Sequence, residues 1–202
     1  DSGVSGLTIE VSADAVNITS VESLSYGETL ADAAVSGTVT VRGTVIAGTF
    51  AFADGDIIPD VADSGVTDYA VVFTPENSIY RVAQTNAKVT VNAMEVDLSG
   101  ITVQNKIYDG TAVAAVNSFS AGTFTVSGSG LFENADAGTG KTVTLKDMKI
   151  TSASGADLAN YIFTYNGETV KVGADGSIIS VLTTEADIFR REVTVSFDPA
   201  KF

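Results

Sequence analysis

Five acidic residues crowd the stretch DGDIIPDVADSGVTD, Asp54 to Asp68. A flexible loop could bring the carboxylates of Asp54, Asp56, Asp60 and Asp63 onto a hard cation such as calcium, which takes all-oxygen ligand sets. No Glu stands at EF-hand spacing, and an acidic run is as readily a solvated loop. The loop reading is preferred, so no metal is expected, and calcium should leave the melting temperature nearly unchanged. A second tempting stretch is ADAGTGKT, Ala135 to Thr142, which ends like a phosphate-binding loop. That loop works only where a buried strand precedes it and a helix opens after it, because the helix N-terminus holds the phosphates. Here VTLKDMKI follows and alternates as a strand does, so nucleotide binding is not expected.

Acid–base and nucleophilic chemistry find little to work with. There is no His and no Cys, which removes the usual base, the thiol nucleophile and the imidazole ligand together. Two carboxylates can serve a glycosidase, but these acids are not clustered in pairs. Sugar binding leans on exposed aromatic rings, and there is no Trp. Tyr69 and Tyr161 lie in apolar strand contexts that suggest core. Tyr80 and Tyr165, the latter beside Asn166-Gly167, remain as candidate ligand contacts.

The elements that must position these residues are strands. The 202 residues hold enough apolar side chains, 45 %, for real cores, and a net charge of −14 argues against nucleic acid or an anionic membrane as partner. No apolar run reaches the length of a membrane helix, so no insertion is expected, and a monomer is. Without cysteine there is no disulfide framework, which suits the cytosol and equally the exported surface proteins of many Gram-positive bacteria. The chain starts at Asp1 with neither Met nor a signal-like stretch, as expected after processing or excision from something longer.

Period-two alternation runs through KVTVNAMEV (Lys88 to Val96), KTVTLKDMKI (Lys141 to Ile150), GSIISVLTTEADI (Gly176 to Ile188) and REVTVSF (Arg191 to Phe197). Turn signals separate these runs, and Asn166-Gly167 between two β-prone segments predicts a hairpin. The class is therefore mainly β, in two tandem small antiparallel domains, with immunoglobulin-like sandwiches preferred over a β-grasp. The boundaries predicted are 1–93, 94–190, and 191–202 as a linker or the first strand of a following repeat. LSYGETLADAAVSG (Leu24 to Gly37) and KIYDGTAVAAV (Lys106 to Val116) each set a Tyr and a Gly before a Thr/Ala/Val strand, the mark of a tandem array.

Three motifs of the second unit, NKIYDGT (Asn105 to Thr111), NADAGTGKTVTL (Asn134 to Leu145) and GADLANYIFT (Gly155 to Thr164), with the closing ADI of Ala186 to Ile188, resemble the YDG domain of bacterial surface and haemagglutinin-like proteins. The stretch Gly167 to Val181 is longer than that pattern and reads as a local elaboration. SYGETLADAAVSG, GTFAFADG and YAVVFTPENSIYRV are similar, more loosely, to the MBG-like and immunoglobulin-like repeats of the same proteins. The resemblance implies a spacer or adhesive region of a secreted or cell-wall-attached bacterial protein, located at the cell surface, with no enzymatic activity and no cofactor. Its partner would be a receptor or glycan that the resemblance does not name. The other function considered is a glycan-binding module of a gut or host-associated bacterium.

Tyr26, Gly27, Tyr108, Asp109 and Gly110 have a structural explanation as turn residues. Glycine permits positive φ, Asp109 can bond nearby backbone N–H groups, and Tyr108 is expected to bury its ring with its hydroxyl on a backbone partner. A Lys–Asn isopeptide bond is conceivable between Lys88, the first unit's sole lysine, and Asn17 or Asn92, but none is expected. Finally, Glu192-Val193 repeats Glu95-Val96, which sets the last residues in register with the first strand of the second unit. Val193, Val195 and Phe197 are then expected outside that unit's core.

Overall fold

The computed structural model describes residues 8–196. Packing divides the chain into two units, Asp1–Met94 with Ala159–Tyr161, and Glu95–Leu158 with Ile162–Phe202. Both are built from strands, and helix among the described residues is confined to 3-10 turns of three residues. The protein is mainly β, in several small antiparallel sheets.

The first unit contains β1 (Val16–Val21), β2 (Leu24–Ser25), β3 (Val35–Val41), β4 (Thr44–Val45), β5 (Gly48–Phe52), β6 (Tyr69–Pro75), β7 (Ala83–Ala87) and β8 (Val91–Asn92). They form antiparallel sheets β1-β3-β4 and β5-β6-β7, and a parallel pair of β2 with β8. Alternation decides what each strand buries. In β6 every second residue turns inward, so Val71 and Phe73 are fully buried while Ala70 and Thr74 face out. Phe73 packs with Val39 of β3, Ile46 and Ala83, and Val71 packs with Leu24, Leu30, Phe52 and Val89.

The second unit contains β9 (Met94–Asp97), β10 (Lys106–Ile107), β11 (Val113–Ala114), β12 (Phe119–Ala121), β13 (Phe124–Phe132), β14 (Gly138–Ser152), β15 (Tyr161–Tyr165), β16 (Glu168–Val170) and β17 (Thr183–Phe189). The larger sheet has the order β10-β17-β14-β13-β11 with β12 also on β13, and a smaller one has β16-β15-β9. Phe124 of β13 meets Phe163 of β15 edge-on, ring centroids 5.4 Å apart, where the two sheets face each other. Asn166 and Gly167, both at positive φ, close the β15–β16 hairpin with Tyr165 opposite Glu168, as the Asn-Gly signal predicts.

The long strand β14 corrects a simple reading of KTVTLKDMKI. Lys141, Val143 and Leu145 point inward at odd positions, and Met148 and Ile150 point inward at even ones. A bulge makes the switch: Ser127 pairs with Lys149 and Ser129 with Lys146, so Gly128 alone faces Asp147 and Met148. Asp147 adopts φ 50° at the kink. A Cβ on Gly128 would clash with Met148 Sδ and stand 2.9 Å from the Lys146 carbonyl oxygen. The glycine is what lets the bulge close.

Candidate functional site

The Tyr-Asp-Gly turn follows the two-residue strand β10, and its geometry is held by a lysine. Lys106 Nζ lies 2.7 Å from Asp109 Oδ1 and donates to the carbonyl oxygens of Thr111 and Val113, each at 3.1 Å. Asp109 Oδ1 also accepts from the Thr111 N–H at 2.9 Å and the Thr111 hydroxyl at 2.8 Å. Gly110, at φ 80°, supplies the left-handed step between them. The ammonium therefore bridges the carboxylate to the backbone on the far side of the turn. Sequence reasoning missed Lys106, because a lone lysine in a polar loop reads as a solvated charge; here its side chain is largely covered.

The Lys106 ammonium, followed by the Thr111 N–H and hydroxyl, pulls the Asp109 carboxyl from its ordinary value down to about 2. A depressed carboxyl binds fewer protons folded than unfolded, so its contribution is present above the ordinary unfolded value near ~4 and lost as pH falls toward ~2. The expected result is that Lys106→Met raises the Asp109 titration midpoint, read by NMR, and flattens stability against pH in that window. An unchanged midpoint would show that the lysine is not what holds the carboxylate.

Tyr108 departs from expectation. The residue is 42 % exposed rather than buried, and it directly follows β10, the edge strand of its sheet. Its backbone takes the structural role instead: the Tyr108 N–H donates to the Phe189 carbonyl at 2.8 Å. The first unit makes the same bond, from the Tyr26 N–H to the Asn92 carbonyl at 2.8 Å. There the turn has Gly27 at φ 99°, and Glu28 replaces the aspartate, its carboxylate accepting from the Ser25 N–H at 2.6 Å. Tyr26 itself is half-buried against the Leu24 and Leu30 cluster.

These bonds belong to a common closure. In the first unit β2 runs parallel to β8, with Leu24 opposite Val91 and Ser25 opposite Asn92. In the second, β10 runs parallel to β17, with Lys106 opposite Ile188 and Ile107 opposite Phe189. Each unit thus pairs the strand before its Tyr–Gly turn with its own last strand. This correspondence sets Asn92 against Phe189, and counting onward sets Glu95-Val96 against Glu192-Val193 and Leu98 against Val195. Leu98 is fully buried, whereas Val193 and Val195 are 80 % and 88 % exposed and lie outside the second unit's core. Phe197 falls outside the described residues.

The acidic loop builds caps. Asp60 and Asp63 form a reciprocal capping box around the 3-10 turn Val61–Asp63, as Thr29 and Asp32 do around Leu30–Asp32. Asp63 Oδ1 accepts from the Thr67 hydroxyl at 2.7 Å, and that bond with the Asp60 N–H keeps its carboxyl below the usual range. Asp60 Oδ1 accepts from the Asn160 amide at 2.8 Å, while Asn160 Oδ1 takes the Val61 N–H at 2.8 Å. Asp54 and Asp56 are exposed. Among the described residues no three His, Cys, Asp or Glu side chains come together as a metal site would require.

Neither candidate aromatic presents an open ring. Tyr165 is 7 % exposed and donates its hydroxyl to the Thr183 carbonyl at 3.0 Å. Tyr80 is half-buried against the Phe73 cluster. The GTGKT segment lies inside β14, so no helix follows it and the phosphate-loop geometry is absent there. A groove of about 500 Å³ does run beside Tyr165, lined by Ser99, Thr102, Asn166, Thr183, Thr184 and Glu185 among others.

The chain is therefore a mainly β protein whose units close on a Tyr–Gly turn. A YDG domain is found at residues 85–171. The matched stretch opens within β7 and stops before β17, so it is offset from the folded unit. Comparison with curated proteins and with solved structures gives no match.

Proposed function

We propose that this chain is a non-catalytic spacer or adhesive stretch of a secreted or cell-wall-attached bacterial surface protein. In this reading the first unit is an MBG-like repeat ahead of the YDG domain, and both units are immunoglobulin-like sandwiches. The observation that carries it is the shared closure: two successive units tie a Tyr–Gly turn to their own last strand with the same backbone bond. Tandem units of one design suit a chain that must bridge distance, since each adds length without new chemistry. The absence of α-helix among the described residues favours sandwiches over a β-grasp, which packs a helix on its sheet.

Antibodies raised against the 202-residue chain should label intact cells of the organism that makes it. Labelling that requires permeabilised cells would sink the surface assignment. Glycan binding has one observation in its favour, the hydroxyl-lined groove beside Tyr165. The spacer reading expects no saturable binding on a glycan array or by calorimetry. Saturable binding lost on Glu185→Ala would replace it with the glycan reading.

A further inference from the structure

Among the described residues Lys141 is the one buried lysine, 7 % exposed on the inward face of β14 beside Val143. A buried lysine ordinarily meets a carboxylate head-on. This one instead points its Nζ at a carboxamide, 2.5 Å from Asn134 Oδ1, with Glu133 Oε1 further off at 3.5 Å. The separation is shorter than the usual range of about 2.7–2.9 Å for a charged N–H to an oxygen. With a carbonyl bond of about 1.23 Å, it places Nζ no more than about 3.7 Å from the Asn134 carbonyl carbon. Reacting atoms in a near-attack arrangement stand about 3–3.5 Å apart.

The backbone fixes this meeting. Phe132 pairs with Val143, and the Glu133 N–H donates to the Thr142 carbonyl at 3.0 Å. Asn134 follows Glu133 just past the end of the ladder, as Lys141 precedes Thr142, and this brings the two side chains together. The Asp136 N–H donates to Asn134 Oδ1 at 3.0 Å, so the carbonyl is already polarised by one amide. On the other side Gly138 lies alongside the lysine stem, where a Cβ would stand in ordinary contact 3.4 Å from Lys141 Cδ. Lys88, by contrast, is exposed and offers no such setting.

We propose that Lys141 and Asn134 form an intramolecular isopeptide bond, with Glu133 as the proton carrier. Glu133 takes a proton from the Lys141 ammonium, leaving a neutral amine. The amine lone pair attacks the Asn134 carbonyl carbon, giving a tetrahedral adduct that holds both nitrogens. Glu133 delivers its proton to the former carboxamide nitrogen and accepts one from Nζ. The C–N bond to that nitrogen breaks and ammonia leaves. One amide is consumed and one formed, nothing is oxidised or reduced, and the released ammonia takes the proton left on Glu133. The product staples the loop end of the β13–β14 hairpin, one residue past the pair Phe132 and Val143.

The test is mass spectrometry of the purified chain. The intact mass should fall one ammonia short of the sequence mass. Trypsin should fail to cut after Lys141, yielding a peptide 107–146 that carries the whole deficit. Asn134→Ala and Lys141→Arg should each restore full mass, and Glu133→Gln should drive the cross-linked fraction toward zero. Full mass with normal cleavage after Lys141 overturns the proposal. So does an ammonia deficit that maps to the Asn166-Gly167 turn, where succinimide formation loses the same mass. A cross-link undiminished in Glu133→Gln overturns the assigned proton path.

Discussion

Truncating the chain after residue 171 should abolish the native fold of the second unit. β17 lies between β10 and β14, so its loss opens the larger sheet inside its pairing order rather than at an edge. Four registered pairs along Lys141 to Thr144 disappear, from Lys141 opposite Ala186 to Thr144 opposite Thr183. Ala186 and Ile188, both buried, leave the cluster around Phe132 and Val143, and the Tyr165 hydroxyl loses its acceptor on Thr183. Exposing that cluster and the flank of β14 forfeits several buried side chains, each worth about 1.5–3 kcal/mol, against a net domain stability of about 5–15 kcal/mol. The dispersed amide signals of β13 and β14 should collapse in an NMR spectrum of the truncated chain. Their survival would mean that the residues matched by the family suffice to fold, and the parallel closure would be ornamental.

Phe132→Ala should destabilise the second unit by about 3–5 kcal/mol, the range for emptying a buried phenylalanine site. Phe132 is 1 % exposed at the end of β13, enclosed by Ala114, Val143, Ala186 and Ile188, with Val103 and Ala112 at the margin. The four enclosing residues come from β11, β14 and β17, strands held by backbone pairing, so they cannot collapse into the vacated space. Leu131, one residue earlier, points the other way and is 44 % exposed. Leu131→Ala should therefore cost well under half as much, and the pair of urea midpoints isolates burial from strand propensity. Equal losses from the two substitutions would contradict the strand's facing.

The strands were legible because burial on one face imposes period two, and β6 carries it openly, as does β13 on either side of its bulge. Tyr165 shows how parity outranks context. Its place beside an Asn-Gly turn suggested exposure, yet it stands two residues from the buried Phe163 and shares that inward face. The acidic loop was half legible. The spacing Asp60-x-x-Asp63 and the matching Thr29-x-x-Asp32 are those of reciprocal caps, a local hydrogen-bond pattern that needs no metal. What the sequence hid were partnerships across strands. Lys141 stood in a stretch resembling a phosphate loop and Lys106 in a turn motif, and only the fold showed one facing Asn134 and the other clamping the turn. The bulge at Asp147 was written in the shift from odd to even apolar positions along KTVTLKDMKI, but a single mismatch in an alternating run looks like noise until its partner Gly128 is found.

The parallel closing pair has a further consequence for how such a chain is divided. The family stretch begins with the segment that closes the unit before it and ends before the strand that closes its own. Sequence module and folded module are therefore the same cycle, cut at different points. In an array built of such units, cutting at either point would return the same interior unit.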